Sequence, residues 1–122
     1  MTYLKNIIVY SLALVLLLSC SFNEGNFTVI NKSDFKIDSL SIQPDSKHQM
    51  FSLDKNESIT VNTNMNSVDI DGSYIISFKR DNKTMTEKQF GYYTNGYQIE
   101  DIINITVLND TILINSKFDK TY

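Results

Sequence analysis

Ser73-Tyr74-Ile75-Ile76-Ser77-Phe78-Lys79 is the stretch that decides the fold. Successive side chains of a β-strand point to opposite faces of a sheet, so Tyr74, Ile76 and Phe78 share one face while the more polar side chains lie on the other. A strand with one apolar face belongs to a sheet that is buried on one side only, as antiparallel sheets commonly are. The stretch therefore predicts an antiparallel sheet with a packed face and a solvent face.

Short alternating segments of the same kind occupy the rest of the chain from Asn26 to Tyr122. No stretch there of ten or more residues has the apolar spacing of three and four that a helix requires. The predicted strands cover residues 27–31, 36–43, 49–53, 58–63, 68–70, 73–79, 84–90, 102–108 and 111–115. Strands at intervals of roughly 8 to 12 residues, with turn signals between them, are typical of sandwiches and small barrels. We therefore predict an all-β protein, a single small antiparallel β-sandwich of the immunoglobulin-like kind.

Polar residue pairs mark the turns between these strands. The pairs that tolerate positive φ are Asp71-Gly72, Asp81-Asn82 and Asn109-Asp110. Ile37 is followed by Leu40 and Ile42, which breaks strict alternation by one residue. An extra residue in a strand forms a β-bulge, so a bulge is predicted near Asp38-Ser39.

The composition narrows the classes of function. The 122 residues suffice for one domain. Their net charge of −3 gives no basic surface for a nucleic-acid backbone. The single Cys cannot form an internal disulfide, and the single His cannot build a multi-histidine metal site. We therefore expect no nucleic-acid partner, no metal and no cofactor.

Residues 1–20, MTYLKNIIVYSLALVLLLSC, have the layout of a signal peptide. A short amino-terminal segment contains Lys5, and an apolar stretch of about a dozen residues follows it. This stretch is shorter than the roughly 20 residues that a membrane-spanning helix needs. The last four residues, Leu17-Leu18-Ser19-Cys20, resemble the lipobox of bacterial lipoproteins, in which a branched residue and a small residue precede an invariant cysteine. An ordinary secretory cleavage site and a retained signal anchor are the alternatives, but Leu17 suits the lipobox better than a secretory site.

The resemblance implies that Cys20 is the lipid anchor of the mature protein. In bacterial lipoproteins the cysteine thiol is diacylated, the peptide is cut before the cysteine, and the new amino group is usually acylated too. Two acyl chains give stable membrane attachment where one is marginal. The chain then divides into a signal peptide at 1–19, a lipidated tether at 20–26 and the sandwich at 27–122. No aspartate directly follows Cys20, which by resemblance to the sorting of enteric lipoproteins favours the outer membrane, facing the periplasm.

The segment 53–61 resembles the L-x-P-G-E-S stretch of bacterial immunoglobulin-like domains. Its Leu, Glu and Ser match that stretch, whereas Lys55 and Asn56 stand where those domains have Pro and Gly. The resemblance implies a loop between two strands of a sandwich.

Residues able to carry catalysis or bind a metal are few. His48, the only imidazole, lies in a polar turn region and is expected to be a solvated surface residue and not a catalytic base. Asp69 and Asp71 before Gly72 match part of a calcium-binding loop. The complete loop also needs a third oxygen ligand before the glycine and a Glu at its end, and the sequence has neither at the required spacing. A hairpin turn is therefore the favoured interpretation. No two carboxylates have a spacing that singles them out as a catalytic pair. The sequence therefore predicts no catalytic residue and no enzyme.

The stretch 90–98, FGYYTNGYQ, has the most distinctive composition in the sandwich domain. It groups three of the chain's 7 tyrosines with two glycines and is expected to be an irregular loop. Tyrosine offers a rigid face with one polar end, a combination common in binding surfaces. Tyr92, Tyr93, Asn95 and Tyr97 are therefore the candidate binding loop. The alternative is that Tyr92 and Tyr97 pack over an open end of the sandwich and only Tyr93 is exposed.

These features predict a non-enzymatic lipoprotein of the cell envelope that binds another protein through loops at one end of its sandwich. An inhibitor or immunity protein is one form of this function, because an acidic domain meets a basic target faster. Glycan binding through the tyrosines is an alternative, although the chain has no Trp. A structural accessory subunit of an envelope complex is another. The expected partners are thus the membrane, through acyl chains on Cys20, and a protein of the envelope.

Overall fold

The computed structural model of the chain describes residues 2–18 and 23–118. These residues form one helix and nine strands: α1 Thr2–Leu18, β1 Glu24–Asn31, β2 Ile37–Gln43, β3 Phe51–Leu53, β4 Ser58–Asn64, β5 Gly72–Arg80, β6 Thr84–Thr94, β7 Tyr97–Gln98, β8 Ile102–Val107 and β9 Ile112–Lys117. Within them, no helix combines the length and the apolar character needed to span a bilayer. The predicted lipid anchor, Cys20, lies outside the described residues.

Two sheets pack face to face, as predicted for an all-β sandwich. The strand order is β4-β1-β8-β9 in one sheet and β3-β2-β5-β6-β7 in the other. The paired strands of the described chain are antiparallel except for β1 and β8, which run parallel with Val29 opposite Ile105. The stretch that decides the fold becomes β5, which lies between β2 and β6.

The core lies between the sheets and is built from the inward side chains of both. Tyr74, Ile76 and Phe78 of β5 are fully buried, as their alternation predicts. Phe27 of β1 meets Tyr74 edge to face, with ring centroids 4.9 Å apart, a geometry that aromatic pairs favour. Full burial of one large apolar side chain contributes about 1.5–3 kcal/mol to folding. Packing between the sheets therefore holds the sandwich together.

One bulge and one hairpin turn lie where the sequence predicts them. Ser39 has a φ of 52°, and the pairing of β2 with β3 shifts between Ile37 and Leu40, which is the predicted bulge. Asp81 and Asn82 both have positive φ in the turn between β5 and β6. Such turns match the twist of the strands that they join.

Some strand boundaries differ from the prediction. Residues 68–70 form no strand. Their backbone bonds instead to the turn at Asn95-Gly96, where the N–H of Gly96 donates to the carbonyl of Ile70 at 3.3 Å. Strand β6 runs further than predicted, and the two-residue strand β7 follows it. Strand β1 begins at Glu24, so residues 24–26, which the sequence predicts as tether, are paired with β4.

The sandwich has two ends with different loops. The entry end, where the described domain begins at Asn23, carries residues 44–50, 65–71, 95–96, 99–101 and 118. The N–H of Met65 donates to the carbonyl of Asn23 at 2.8 Å, and the N–H of Ser46 donates to the carbonyl of Asn64 at 3.2 Å. The first bond ties the loop 65–71 to the start of the domain, and the second ties the loop 44–50 to the end of β4. The far end carries residues 32–36, 54–57, 81–83 and 108–111.

Candidate functional site

The tyrosine stretch is a regular hairpin and not the irregular loop that the sequence predicts. Asn95 and Gly96 form the two-residue turn between β6 and β7, and both have positive φ, 52° and 78°, as a type I′ turn requires. The N–H of Asn95 donates to Oδ1 of Asp71 at 2.8 Å. A Cβ at Gly96 would collide with the carbonyl oxygen of Val68. The loop 65–71 therefore packs tightly against this turn and fixes its position.

The three tyrosines have different environments. Tyr93 is only 7% exposed, and its ring centroid lies 5.1 Å from that of Tyr74 in the core. Tyr92 and Tyr97 are 45% and 58% exposed. The alternative in which Tyr92 and Tyr97 are packed and only Tyr93 is exposed is therefore wrong, because the structure shows the reverse. Of the candidate residues Tyr92, Tyr93, Asn95 and Tyr97, Tyr93 belongs to the core, and the other three are exposed.

A bulge in β6 explains why Tyr93 points inward. The pairing of β6 with β5 gains one residue between Phe90 and Tyr93, and Gly91 at this point has a φ of 64°. Strict alternation from the buried Phe90 would turn Tyr92 inward, whereas the extra residue turns Tyr93 inward instead. Gly91 was the only signal for this bulge in the sequence, because glycine adopts positive φ without strain.

The hairpin lies at the entry end, close to the point where the chain enters the sandwich. Oε1 of Gln98 accepts a hydrogen bond from the N–H of Asn26 at 2.6 Å, and the side-chain amide of Gln98 donates to the carbonyl of Asn26 at 3.2 Å. The most exposed large apolar side chains of residues 23–118 share this end: Met50 at 70%, Ile70 at 64%, Phe118 at 64% and Tyr97 at 58%. Met85 at 53% and Leu113 at 52%, in the strands next to the far-end loops, are less exposed than these four. The most exposed apolar side chains of residues 23–118 therefore lie at the entry end.

The far end is polar, and three of its loops are joined at Asp34. The ammonium of Lys55 lies 2.7 Å from Oδ1 of Asp34. Asn109 donates from its side-chain amide to Oδ2 of Asp34 at 2.9 Å, and its Oδ1 accepts from the N–H of Asp34 at 2.7 Å. The hydrogen bond from Lys55, the amide of Asn109 and the positive charge of Lys55 lower the pKa of Asp34 below its usual value.

A fourth far-end loop joins this surface through Asp81. The N–H of Lys36 donates to Oδ1 of Asp81 at 2.9 Å, and the N–H of Asp81 donates to the carbonyl of Lys36 at 2.9 Å. The guanidinium of Arg80 lies 4.6 Å from the ring centroid of Phe35 and donates to the carbonyl of Asn109 at 2.8 Å. The far-end loops, all of which the structure describes, expose no large apolar side chain. The four loops thus form one connected polar surface.

Asp45 is a buried carboxylate that organises the entry-end loop 44–50. It is 4% exposed and accepts hydrogen bonds from the N–H groups of Lys47, Gln49 and Asn64 at 3.1, 3.3 and 2.9 Å. Burial raises the pKa of Asp45, but these N–H groups and the side-chain amide of Gln49 outweigh burial and hold the pKa below its ordinary value of 3.8. The carboxylate therefore holds the loop and is not free for chemistry.

A polar groove of about 470 Å³ lies beside this loop, along β3 and β4. It is lined by Asn23, Glu24, Lys47, Gln49, Phe51, Thr60, Asn62, Thr63, Asn64 and Asn66. The Oγ1 of Thr63 is buried with no hydrogen-bond partner among the described residues. Several amides around one aromatic ring can contact an uncharged polar ligand, so the groove is the feature that best fits the glycan alternative.

The residues considered for catalysis or metal binding do not come together. His48 is exposed in the loop 44–50. Asp69 and Asp71 are exposed, and Asp71 bonds to the N–H of Asn95 in the hairpin turn. Within the described residues, no group of three or more His, Cys, Asp or Glu is arranged to hold a metal ion.

Sequence reasoning missed the far-end surface. Asp34 lies 21 residues from Lys55 and 75 residues from Asn109. Contacts over such separations depend on the strand order, which no local pattern of residues reveals. Asp34 therefore carried no signal that could have marked it in the sequence.

No protein-family model, curated protein or solved structure matches the chain, so the basis for a functional assignment is the chemistry of its own residues.

Proposed function

We propose that the chain is a non-enzymatic lipoprotein of the bacterial cell envelope, anchored through a diacylated Cys20, that binds another protein through its far-end loops. The observation that carries the proposal is the joining of four far-end loops through Asp34 and Asp81. Loops that are already held in place lose little conformational entropy on binding. The exposed charges of these loops have both signs, which a partner protein can match with complementary charges.

The far end, and not the tyrosine hairpin, is the surface that a protein partner can reach. Asn23 enters the sandwich three residues after Cys20, and three residues of extended chain span at most about 11 Å. An anchor at Cys20 therefore keeps the entry end next to the membrane, which leaves little room there for a second globular protein. The far end, on the opposite side of the sandwich, is then accessible.

The proposed location is the periplasmic face of the outer membrane, which rests on the lipobox and on the residue that follows Cys20. An inhibitor or immunity protein that blocks an envelope hydrolase or toxin is one form of this function. An accessory subunit of an envelope complex is another. The identity of the bound partner decides between them.

Affinity capture of the lipidated mature protein from cross-linked envelopes of its host tests the proposal. We expect one protein to be recovered in near-equal amount. Lys83→Glu and Asp110→Lys reverse exposed charges in two far-end turns, and we expect each to lower recovery at least about tenfold. The melting temperature should not change, because both side chains lie at the surface. Tyr97→Ala, at the entry end, is the matched control and should capture normally.

Loss of capture with Tyr97→Ala and normal capture with both far-end variants would contradict the proposal, because the partner would then contact the tyrosine hairpin. Recovery of wall glycan instead of a protein would favour the glycan alternative, with the groove along β3 and β4 as its site.

A further inference from the structure

We infer that the entry end rests on the lipid bilayer, with the side chains of Ile70, Tyr97 and Phe118 inserted between the lipid headgroups. The inference rests on the Cys20 anchor of the proposed function and adds a second membrane contact made by the folded domain itself. The domain is then held in one orientation, with its far-end loops directed away from the membrane.

The distribution of exposed apolar side chains is the first support. Single exposed apolar residues are normal on a protein surface, but their concentration at one end marks a contact surface. In residues 23–118, the four most exposed large apolar side chains lie at the entry end, and the far-end loops expose none. The tether enters at the same end, at Asn23.

The length of the tether determines what this end meets. The anchor residue and Asn23 are three residues apart, a reach of about 11 Å at full extension. Side chains that insert into the interface lie roughly 5–10 Å deep, at the boundary between headgroups and acyl chains. The entry-end loops are therefore within reach of the bilayer whenever Cys20 carries its acyl chains.

The residue types suit a lipid surface. Tyrosine is enriched at membrane interfaces, where its ring meets the apolar region and its hydroxyl meets water. Ile70 and Phe118 offer apolar groups without a polar end. Tyr97 flanks the turn that the 65–71 loop holds in place, so its position is fixed before it meets the membrane.

The charges of the entry end indicate that its contact with the bilayer is hydrophobic and not electrostatic. Asp69 and Asp71 are exposed beside Ile70, and Glu24 is exposed at the start of β1, against the exposed Lys47 and Lys117. Negatively charged lipid does not strengthen the binding of a surface with more acidic than basic side chains. Contact with uncharged (zwitterionic) bilayers should therefore be at least as strong as contact with anionic ones.

Quenching of a tryptophan by brominated acyl chains tests the inference, because the natural chain has no Trp. The lipidated mature protein carrying Tyr97→Trp, and a matched variant carrying Asp110→Trp in a far-end turn, are reconstituted into zwitterionic vesicles with brominated lipid. We expect quenching at least about threefold stronger for Tyr97→Trp, because only this position reaches the acyl boundary. Adding Ile70→Ser to Tyr97→Trp should weaken the quenching, and adding anionic lipid should not strengthen it.

Equal quenching at the two positions, or none at either, in protein shown by mass spectrometry to be lipidated would overturn the orientation and leave the anchor intact. Quenching that Ile70→Ser leaves unchanged, or that needs anionic lipid, would also overturn the apolar contact. Protein without lipid on Cys20 would instead remove the anchor of the proposed function, and the orientation with it.

Discussion

Tyr74 is fully buried, and its hydroxyl has no hydrogen-bond partner among the described residues. Its ring centroid lies 4.9 Å from that of Phe27, 5.8 Å from that of Phe90 and 5.1 Å from that of Tyr93. Burial, and then the negative charge of Glu100 and the nearby Tyr93, raise the pKa of Tyr74 well above its usual value. The group is neutral at physiological pH, and its hydroxyl lost hydrogen bonds to water on folding.

Tyr74→Phe removes this hydroxyl and keeps the ring. An unpaired buried hydroxyl costs about 1 kcal/mol or more, so we expect the free energy of unfolding in urea to rise by about 1 kcal/mol. Tyr97→Phe, at an exposed ring, is the control and should leave stability unchanged. A fall of about 1 kcal/mol in Tyr74→Phe would show instead that the hydroxyl is paired.

Single residues were predictable from sequence where strict alternation holds. The inward positions of Tyr74, Ile76 and Phe78 follow from alternation alone. The sequence predicts an irregular loop with Tyr93 exposed, whereas the bulge at Gly91 within a regular β6 turns Tyr93 into the core. Whether a glycine forms a bulge depends on the pairing with the next strand, which the chain does not reveal locally.

The connection from β2 to β3 depends on one carboxylate. Asp45 follows the cis peptide bond between Gln43 and Pro44. Its carboxylate accepts hydrogen bonds from the N–H groups of Lys47 and Gln49 within the loop and of Asn64 on β4. The pKa of Asp45 is lowered in the folded protein. The ionised form is therefore the one that stabilises the fold, fully above the unfolded pKa, and this stability is lost as pH falls through the lower folded pKa.

Asp45→Asn tests this role. The amide cannot accept all the hydrogen bonds of the carboxylate, so we expect the free energy of unfolding at pH 7 to fall by about 1–3 kcal/mol. Urea unfolding of both proteins at pH 7 and at roughly pH 2.5 should show a smaller difference at the acid pH. Asp110→Asn, in a far-end turn, is the exposed control. An equal difference at both pH values would contradict the assigned role.

Elements with local signals were the predictable ones. Asp81-Asn82 marks the β5–β6 hairpin in the sequence itself, because both residues tolerate positive φ. The parallel pairing of β1 with β8 joins Val29 to Ile105 and has no local signal. The same limit hid the contact of Asp34 with Asn109 at the far end.

The loops at the two ends of the sandwich differ in chemistry. The apolar entry end receives the chain at Asn23, and the far end joins its charged loops into one surface. The sequence predicted the sandwich and the anchor separately, but the end at which each loop lies follows only from the assembled sheets. This difference is the reason that we propose a membrane contact for the tyrosine hairpin and a protein partner for the far-end loops.

Intact mass spectrometry of the mature protein from its host's membranes tests the anchor on which this arrangement depends. We predict an amino terminus at Cys20 with a diacylglycerol on the thiol and no signal peptide before it. A mature chain that begins elsewhere, or a Cys20 with a free thiol, would contradict the membrane anchor and the orientation derived from it.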